Sequence, residues 1–268
     1  MICGWLGSPG RMQPIYSTPS MSVSAPVERS FSVTLGGKRV VRSAPGGHRE
    51  WDMAADGSDA FDGSAIKMFA DGHWGVGPWW WLSPWAVGVN MLTPAGSLLK
   101  YAHLVSGATT GGPVQVEGGR WFPVSAVVSG GSANGIARSA ATGTIPVIPG
   151  EPVSGSLFVS SGMSVRLSFF TEPGVLVSSI SSPVAGSGSL LRRVSVSGVV
   201  PSNAYRLRFD AVGSGQCAGA SASMTPTAPL WAVGDGCEYA IVEAEDKSVE
   251  VISANPWSNQ SFTIKEVG

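Results

Sequence analysis

The sequence predicts a mainly β protein: a split β-rich domain carrying one helix, with an antiparallel β-sandwich or jelly roll inserted into it. Three observations lead there. Charged residues make up only 13% of the 268, against 36 Gly, so the chain has material for short strands and turns and little for exposed helices. From about residue 95 to 225, segments of Ser, Gly and Val read as strands every 8–12 residues, the spacing of a sandwich. From Leu230 onward acids and lysines return, and these closing strands read as completing the domain begun by the first ninety residues. The expected organisation is therefore residues 1–94, with 1–26 an extended arm, an inserted domain over 95–226, and closing strands over 227–268.

The arm is rich in Pro, Gly, Ser and Met, with one short strand around Gln13–Tyr16. Its apolar residues, Trp5, Leu6 and Ile15, call for packing on the same domain or on a neighbouring subunit. Phe31–Leu35 alternates and meets Gly36-Gly37, and Lys38–Arg42 returns as the partner strand of a hairpin. His48–Met53 is a further strand with Trp51 and Met53 on one face. The period then changes: Ser58 is placed to cap a helix whose apolar residues are Phe61, Ala65, Met68 and Phe69, with Asp59 and Asp62 in the first turns and Asp71-Gly72 at its end.

Next comes Gly77-Pro78-Trp79-Trp80-Trp81-Leu82-Ser83-Pro84-Trp85, which holds four of the ten Trp within seven residues. Two prolines exclude a long helix. The run reads as a buried strand bent at Ser83-Pro84 and followed by a turn into Asn90. We assign Trp79, Trp80, Trp81 and Trp85, with Trp5, to a core or a subunit interface. A sugar platform needs one or two exposed rings, not a contiguous block.

In the middle region the readable strands are Trp121–Val128, Ser156–Ser160, Ser164–Phe170, Leu191–Ser197 and Tyr205–Ala211. In the last of these Tyr205, Leu207 and Phe209 face one way and Arg206 and Arg208 the other. Tyr239–Glu243 and Val249–Ile252 read as a hairpin across Glu245-Asp246-Lys247, and Gln260–Glu266 as the last strand.

The chemistry is sparse. A glycoside hydrolase needs two carboxylates facing each other across a cleft, and the middle region holds only Glu117, Glu151, Glu172 and Asp210, none marked as a pair. His48, His73 and His103 have no metal-like neighbours at helical or strand spacing. Asp71 and Asp235 each bring one carboxylate to a Gly turn, a poor start for a Ca²⁺ site. There is no Gly-x-Ser-x-Gly elbow and no phosphate loop, and no cofactor is expected. Cys3, Cys217 and Cys237 are too few and too widely spaced for a disulfide framework or a zinc site, and only Cys217 and Cys237 are candidates to pair. The net charge of −1 gives no reason to expect nucleic acid or an acidic membrane surface as partner. The N-terminus lacks signal-peptide character and no apolar run reaches membrane-spanning length, so synthesis and folding in a cytoplasm are expected. For sugar binding the candidates are Trp121, Phe122 and Tyr205, whose rings could stack on a pyranose; Trp121 would serve equally as the core anchor of a small sandwich.

Taken together, the Trp-bearing strand before a single helix, the Gly77–Trp81 aromatic strand, the junction Asn90-Met91-Leu92-Thr93-Pro94, the Ser/Gly/Val middle and the closing strands resemble minor tail proteins of distal-tail type in long-tailed phages of actinobacteria. In that group the junction usually reads Asn-Leu-Leu-Thr-Pro; here Met91 replaces the first Leu, a volume-conserving change. The middle resembles the jelly rolls of carbohydrate-binding modules, through Ile148–Pro152 before the strand Val153–Ser160, the strand and turn Phe169–Gly174, and the break Val199–Ala204. The resemblance implies a tail-scaffold domain that forms a ring, of six subunits, at the tail tip, with the jelly roll displayed on it. It implies partners among the other tail proteins (tail tube, tape measure, further minor tail proteins) and possible contact with host cell-wall glycan. It implies no enzyme activity and a place in the virion, reached by lysis.

Overall fold

The computed structural model describes residues 2–17, 21–24, 29–33, 39–43, 48–139, 143–244, 248–252 and 255–267. The fold is mainly β, built of antiparallel sheets with few helices. The chain forms two compact units: Met1–Cys3, Pro14–Trp79 and Tyr239–Gly268 make one, and Gly4–Gln13 and Trp80–Glu238 the other. The composition shifts at 94/95 and 226/227 thus fall inside the second unit, because the flanking segments are packed onto its sandwich.

In the first unit Asn255–Glu266 is the central strand. It pairs with Glu50–Asp59, placing Ile264 opposite Trp51 and Phe262 opposite Met53, and with Cys237–Ala244 on its other side. These four apolar side chains are buried, as alternation in a strand requires. Ser248–Ile252 folds back on Asn255–Glu266 rather than on the strand before it, so the expected hairpin across residues 245–247 is not the pairing formed. Residues 245–247 lie outside the described ones. The Arg29–Val33 and Arg39–Ser43 hairpin forms as the alternation predicts, with Phe31 opposite Val41; its turn, 34–38, is also outside the described residues. Among the described residues the one long helix is Ala60–Ala70, and the preceding strand runs through Ser58. The helix buries Ala65 and Phe69 as expected, with Ile66 beside them, and leaves Met68 exposed; the side chain of Phe61 lies outside the described ones. Phe69 stacks on Trp74 and meets Trp79 edge-on. Arg49 donates through Nε and Nη2 to the two oxygens of Glu266, both at 3.0 Å, while its guanidinium lies over the Trp51 ring.

The second unit is a two-sheet sandwich. The first sheet runs in the order Arg192–Val199, Pro152–Val159, Gly215–Ser223, Ser125–Val128, Ala108–Gly111. The second runs Leu176–Ser181, Ser164–Phe170, Arg206–Val212, the last strand flanked by the short Ser132–Ala133 and Ile145–Pro146. Val153, Leu157 and Val159 from one sheet meet Val165, Leu167, Phe169, Leu207 and Phe209 from the other, all buried. Cys217 lies in this core, where burial pushes its thiol up to about 12; Cys237 is a buried thiol as well. Among the strands without a sequence signal are Leu176–Ser181, exposed except at Val177 and Ile180, which pack against the core, and Gly215–Ser223, made of small residues. The expected strand Trp121–Val128 is split in two at Pro123, which cannot continue a ladder.

The arm is not merely extended. It forms two strands, Ile2–Ser8 and Arg11–Ser17, the first paired with Trp79–Leu82 so that Leu6 faces Trp81. Leu6 and Ile15 are buried and Trp5 is half-buried against the core. The Trp block divides: Trp79, Trp80 and Trp81 are buried, whereas Trp85 is 57% exposed and lies outside the core. The bend expected at Ser83-Pro84 is the start of a five-residue helix, Pro84–Gly88, with Ser83 as N-cap and Pro at the first position. Thr93-Pro94 repeats the device for the single turn Pro94–Ser97.

Candidate functional site

Asn90, fully buried, holds the sandwich closed where the chain enters and leaves it. Its Nδ2 donates to Ala220 O (3.1 Å) and Ala232 O (2.8 Å), and its Oδ1 accepts from Leu92 N (3.3 Å) and Ala222 N (3.1 Å). Both donors and both lone pairs of the amide are thereby used. Met91 N donates to Ala222 O and Met224 N to Val87 O, so residues 87–91 supply a partner edge to the last residues of Gly215–Ser223. The Gly234-Asp235-Gly236 loop closes over the same point: Asp235 N donates to Asn90 O, Gly236 N to Leu92 O and Gly234 N to Ser97 Oγ, while Ser83 Oγ donates to the Asp235 carboxylate. A Cβ on Gly234 or Gly236 would stand 2.1 Å from the Leu92 or Met91 carbonyl oxygen. Asp235 is therefore a structural carboxylate within this knot.

The outer face of the first sheet is closed too. Ser154 and Ser223, and Ser156 and Ser221, form buried hydroxyl pairs at 3.0 and 2.9 Å. Arg193 spans to Ser156 Oγ and Pro229 O, and Trp231 Nε1 donates to Ala220 O. Desolvation lowers the Arg193 pKa, with Glu117 opposing the shift.

The three sequence candidates for stacking on a sugar do not converge. Trp121 and Phe122 occupy a two-stranded ribbon with Val114–Gln115, and because adjacent residues on a strand point to opposite sides, Trp121 is 66% exposed and Phe122 only 5%. Phe122 packs against Trp231 and Phe158 with ring centroids 4.6 and 5.4 Å away. It is a core residue and offers no face to a ligand, which corrects its assignment. Tyr205 is half-buried and belongs to the other sheet, where its N–H donates to Phe170 O.

The open polar surface of the sandwich is the outer face of the second sheet. Leu207, Phe209 and Ala211 point inward, so Arg206, Arg208 and Asp210 point out. Strand pairing sets Arg166 beside Asp210, Ser168 beside Arg208 and Phe170 beside Arg206. Asp210 is fully buried beneath its partners: Oδ1 accepts from Arg208 Nε (2.7 Å) and Gly135 N (2.8 Å), and Oδ2 from Ser168 Oγ (2.8 Å), Arg166 Nε (3.2 Å) and Arg208 Nη2 (3.2 Å). Arg166 Nη2 also reaches Asn134 Oδ1, and the Arg208 guanidinium lies 5.0 Å from the Phe170 ring centroid. Arg206 Nε donates to Glu172 O, and its Nη2 lies 3.7 Å from the half-exposed Glu172 carboxylate. The Pro9-Gly10 turn sits at this end, with Gly10 against Glu172 and Tyr205. Chemically this is a rigid row of guanidiniums and hydroxyls. Asp210 has its oxygens committed to the row and is not poised as an acid or base. Sequence alternation places Arg206 and Arg208 on the outer side, which Asp210 shares two residues on; nothing local to the sequence links them to Ser168 and Arg166, which the sheet brings to Asp210 from 42 and 44 residues away.

Among the described residues no group of three His, Cys, Asp or Glu is placed to hold a metal ion, and no helix is long and apolar enough to cross a membrane. No family model matches the chain and no curated protein matches it. Among solved structures it is similar to the enzymatically active domain of tailspike protein 4 of bacteriophage CBA120, with a TM-score of 0.37 and 18% identity, over 51% of this chain and 22% of that one. At that level nothing about this chain's fold or activity follows from the similarity.

Proposed function

We propose that this protein is a structural component of a phage tail tip, of distal-tail type, which forms a ring of six and carries the sandwich as a part that meets the host surface. The reading assigns it no catalytic role and gives it, as partners, further copies of itself and the neighbouring tail proteins. The observation that carries it is the junction Asn90–Pro94. These residues carry the sequence resemblance, and in the fold each polar group of Asn90 has a defined partner, so the motif has a physical reason to be what it is. The low charge also suits a subunit that works inside an assembly. The test is the mass of the purified protein in solution. A ring of six has six times the 27.6 kDa chain mass, and closed cyclic symmetry follows from a repeated heterologous contact. A monomer at all concentrations would overturn the ring, and threefold symmetry in images of the particle would assign the protein to the fibre-like minor tail proteins instead.

A second reading, a carbohydrate-binding adhesion protein that contacts cell-wall polysaccharide, is favoured by the open row of Arg, Ser and aromatic residues on the second sheet. It is compatible with the first, since one unit can assemble while the other binds.

A further inference from the structure

We infer that the outer face of the second sheet binds an acidic polysaccharide, one whose repeating units bear carboxylate or phosphate groups, through Arg166, Arg206 and Arg208. This rests on reading the sandwich as the part that meets the host surface, but the binding chemistry is argued from the face itself.

Charge comes first. Three guanidiniums share the face with two carboxylates, one of which, Asp210, is wholly enclosed by its donors. Solvent therefore meets three guanidiniums and one carboxylate: the side chains of Arg166, Arg206 and Arg208 keep 28–30% of their surface exposed, and that of Glu172, at one end of the row, 57%. Among the described residues none of their Nη1 atoms has an acceptor. A buried carboxylate that fixes two guanidiniums by their inner edges leaves the outer edges pre-organised, so little rotamer entropy remains to be lost on binding. The forked edge of Arg matches carboxylate and phosphate oxygens.

Hydroxyls and apolar surface come second. Register puts Ser181 beside Arg166 and Ser179 beside Ser168, and both of these flanking serines are exposed. Cross-strand partners lie on one face, so successive ranks read Ser181–Arg166–Asp210, Ser179–Ser168–Arg208 and Leu176–Phe170–Arg206. Ranks two residues apart repeat about every 7 Å along the strands. Phe170, over whose ring the Arg208 guanidinium lies, supplies apolar surface at one end. A row of cations and hydroxyls fits a polyhydroxylated polyanion better than a neutral glycan, for which buried guanidinium edges would lose water without gaining an anion. A row this short, holding only three cations, is also poorly matched to a nucleic-acid backbone.

The test uses the full-length protein and three soluble polymers of matched length: polygalacturonate, poly(glycerol phosphate) and dextran. Binding is measured by calorimetry at low and at high salt. Polygalacturonate or poly(glycerol phosphate), or both, should bind, and the one preferred identifies the anionic group. Added salt should weaken that binding, and dextran should not bind. Arg206→Gln should weaken binding about tenfold, whereas Glu172→Gln, which removes the competing carboxylate, should tighten it about two- to fivefold. A gain from Glu172→Gln is an outcome that misfolding cannot mimic. Dextran binding equal to the acidic polymers, no binding by either polyanion, or no change in both variants would overturn the inference. Acidic-polymer binding by a protein that never forms rings would overturn the assembly reading alone; ring formation with no polymer binding would overturn this inference alone.

Discussion

The amide of Asn90 shows how much a single buried side chain can decide. Replacing it by Asp keeps the shape but removes both donors, leaving Ala220 O and Ala232 O without them and placing a charge where none is accommodated. Unpaired buried groups cost roughly 1–3 kcal/mol each, so Asn90→Asp should destabilise the protein by more than about 3 kcal/mol in denaturant titration. A loss below about 1 kcal/mol would mean the amide is dispensable. Sequence pattern singled out Asn90 but could not show why, since Ala220, Ala222 and Ala232 lie 130–142 residues further on. Glu266 gives a second residue-scale test. Burial would raise its pKa, but the hydrogen bonds and charge of Arg49 outweigh this and hold the carboxyl below its ordinary 4.5. A carboxylate with a depressed folded pKa adds stability above its unfolded pKa and loses it as pH falls through the folded value. The unfolding midpoint of the parent should therefore exceed that of Glu266→Gln at neutral pH, and the gap should close once pH falls well below about 4.5. A gap that stays constant down to strongly acidic pH would contradict the Arg49 pairing.

At the scale of elements, legibility followed side-chain size. Ser164–Phe170 alternates large apolar with polar residues, and its predicted limits are those observed. Gly215–Ser223 is the central strand of its sheet yet offers only Gly, Ala, Ser, Cys and Gln, so there was no amplitude for a period to show in. Pro84 and Pro94 were read as breaks because the one-turn helices they open are too short to carry a hydrophobic period. Trp85 was grouped with its neighbours for the same reason: the change from strand to helix turns it outward. The binding face was half legible, because alternation separates Arg206 and Arg208 from the core but cannot name their partners across the sheet. The elements also set a fragment test. A piece spanning 95–226 lacks Asn90, Trp231 and the Gly234–Gly236 loop, whereas 80–238 keeps them. The longer piece should unfold cooperatively at higher temperature than the shorter, and equal midpoints would show that the flanking segments are not part of the sandwich.

For the whole molecule, the closing knot governs how tension would travel. The bonds from Asp235 N to Asn90 O, Gly236 N to Leu92 O and Gly234 N to Ser97 Oγ tie the incoming segment directly to the outgoing one. A pull applied to the segments that flank the sandwich, at residues 90 and 236, runs across these few cross-links and bypasses the ladders of the sandwich's two sheets. Residues 98–230 would stay slack inside a closed loop until the cross-links part, and would then release roughly 440–480 Å of contour, at ~3.3–3.6 Å per residue, in one step.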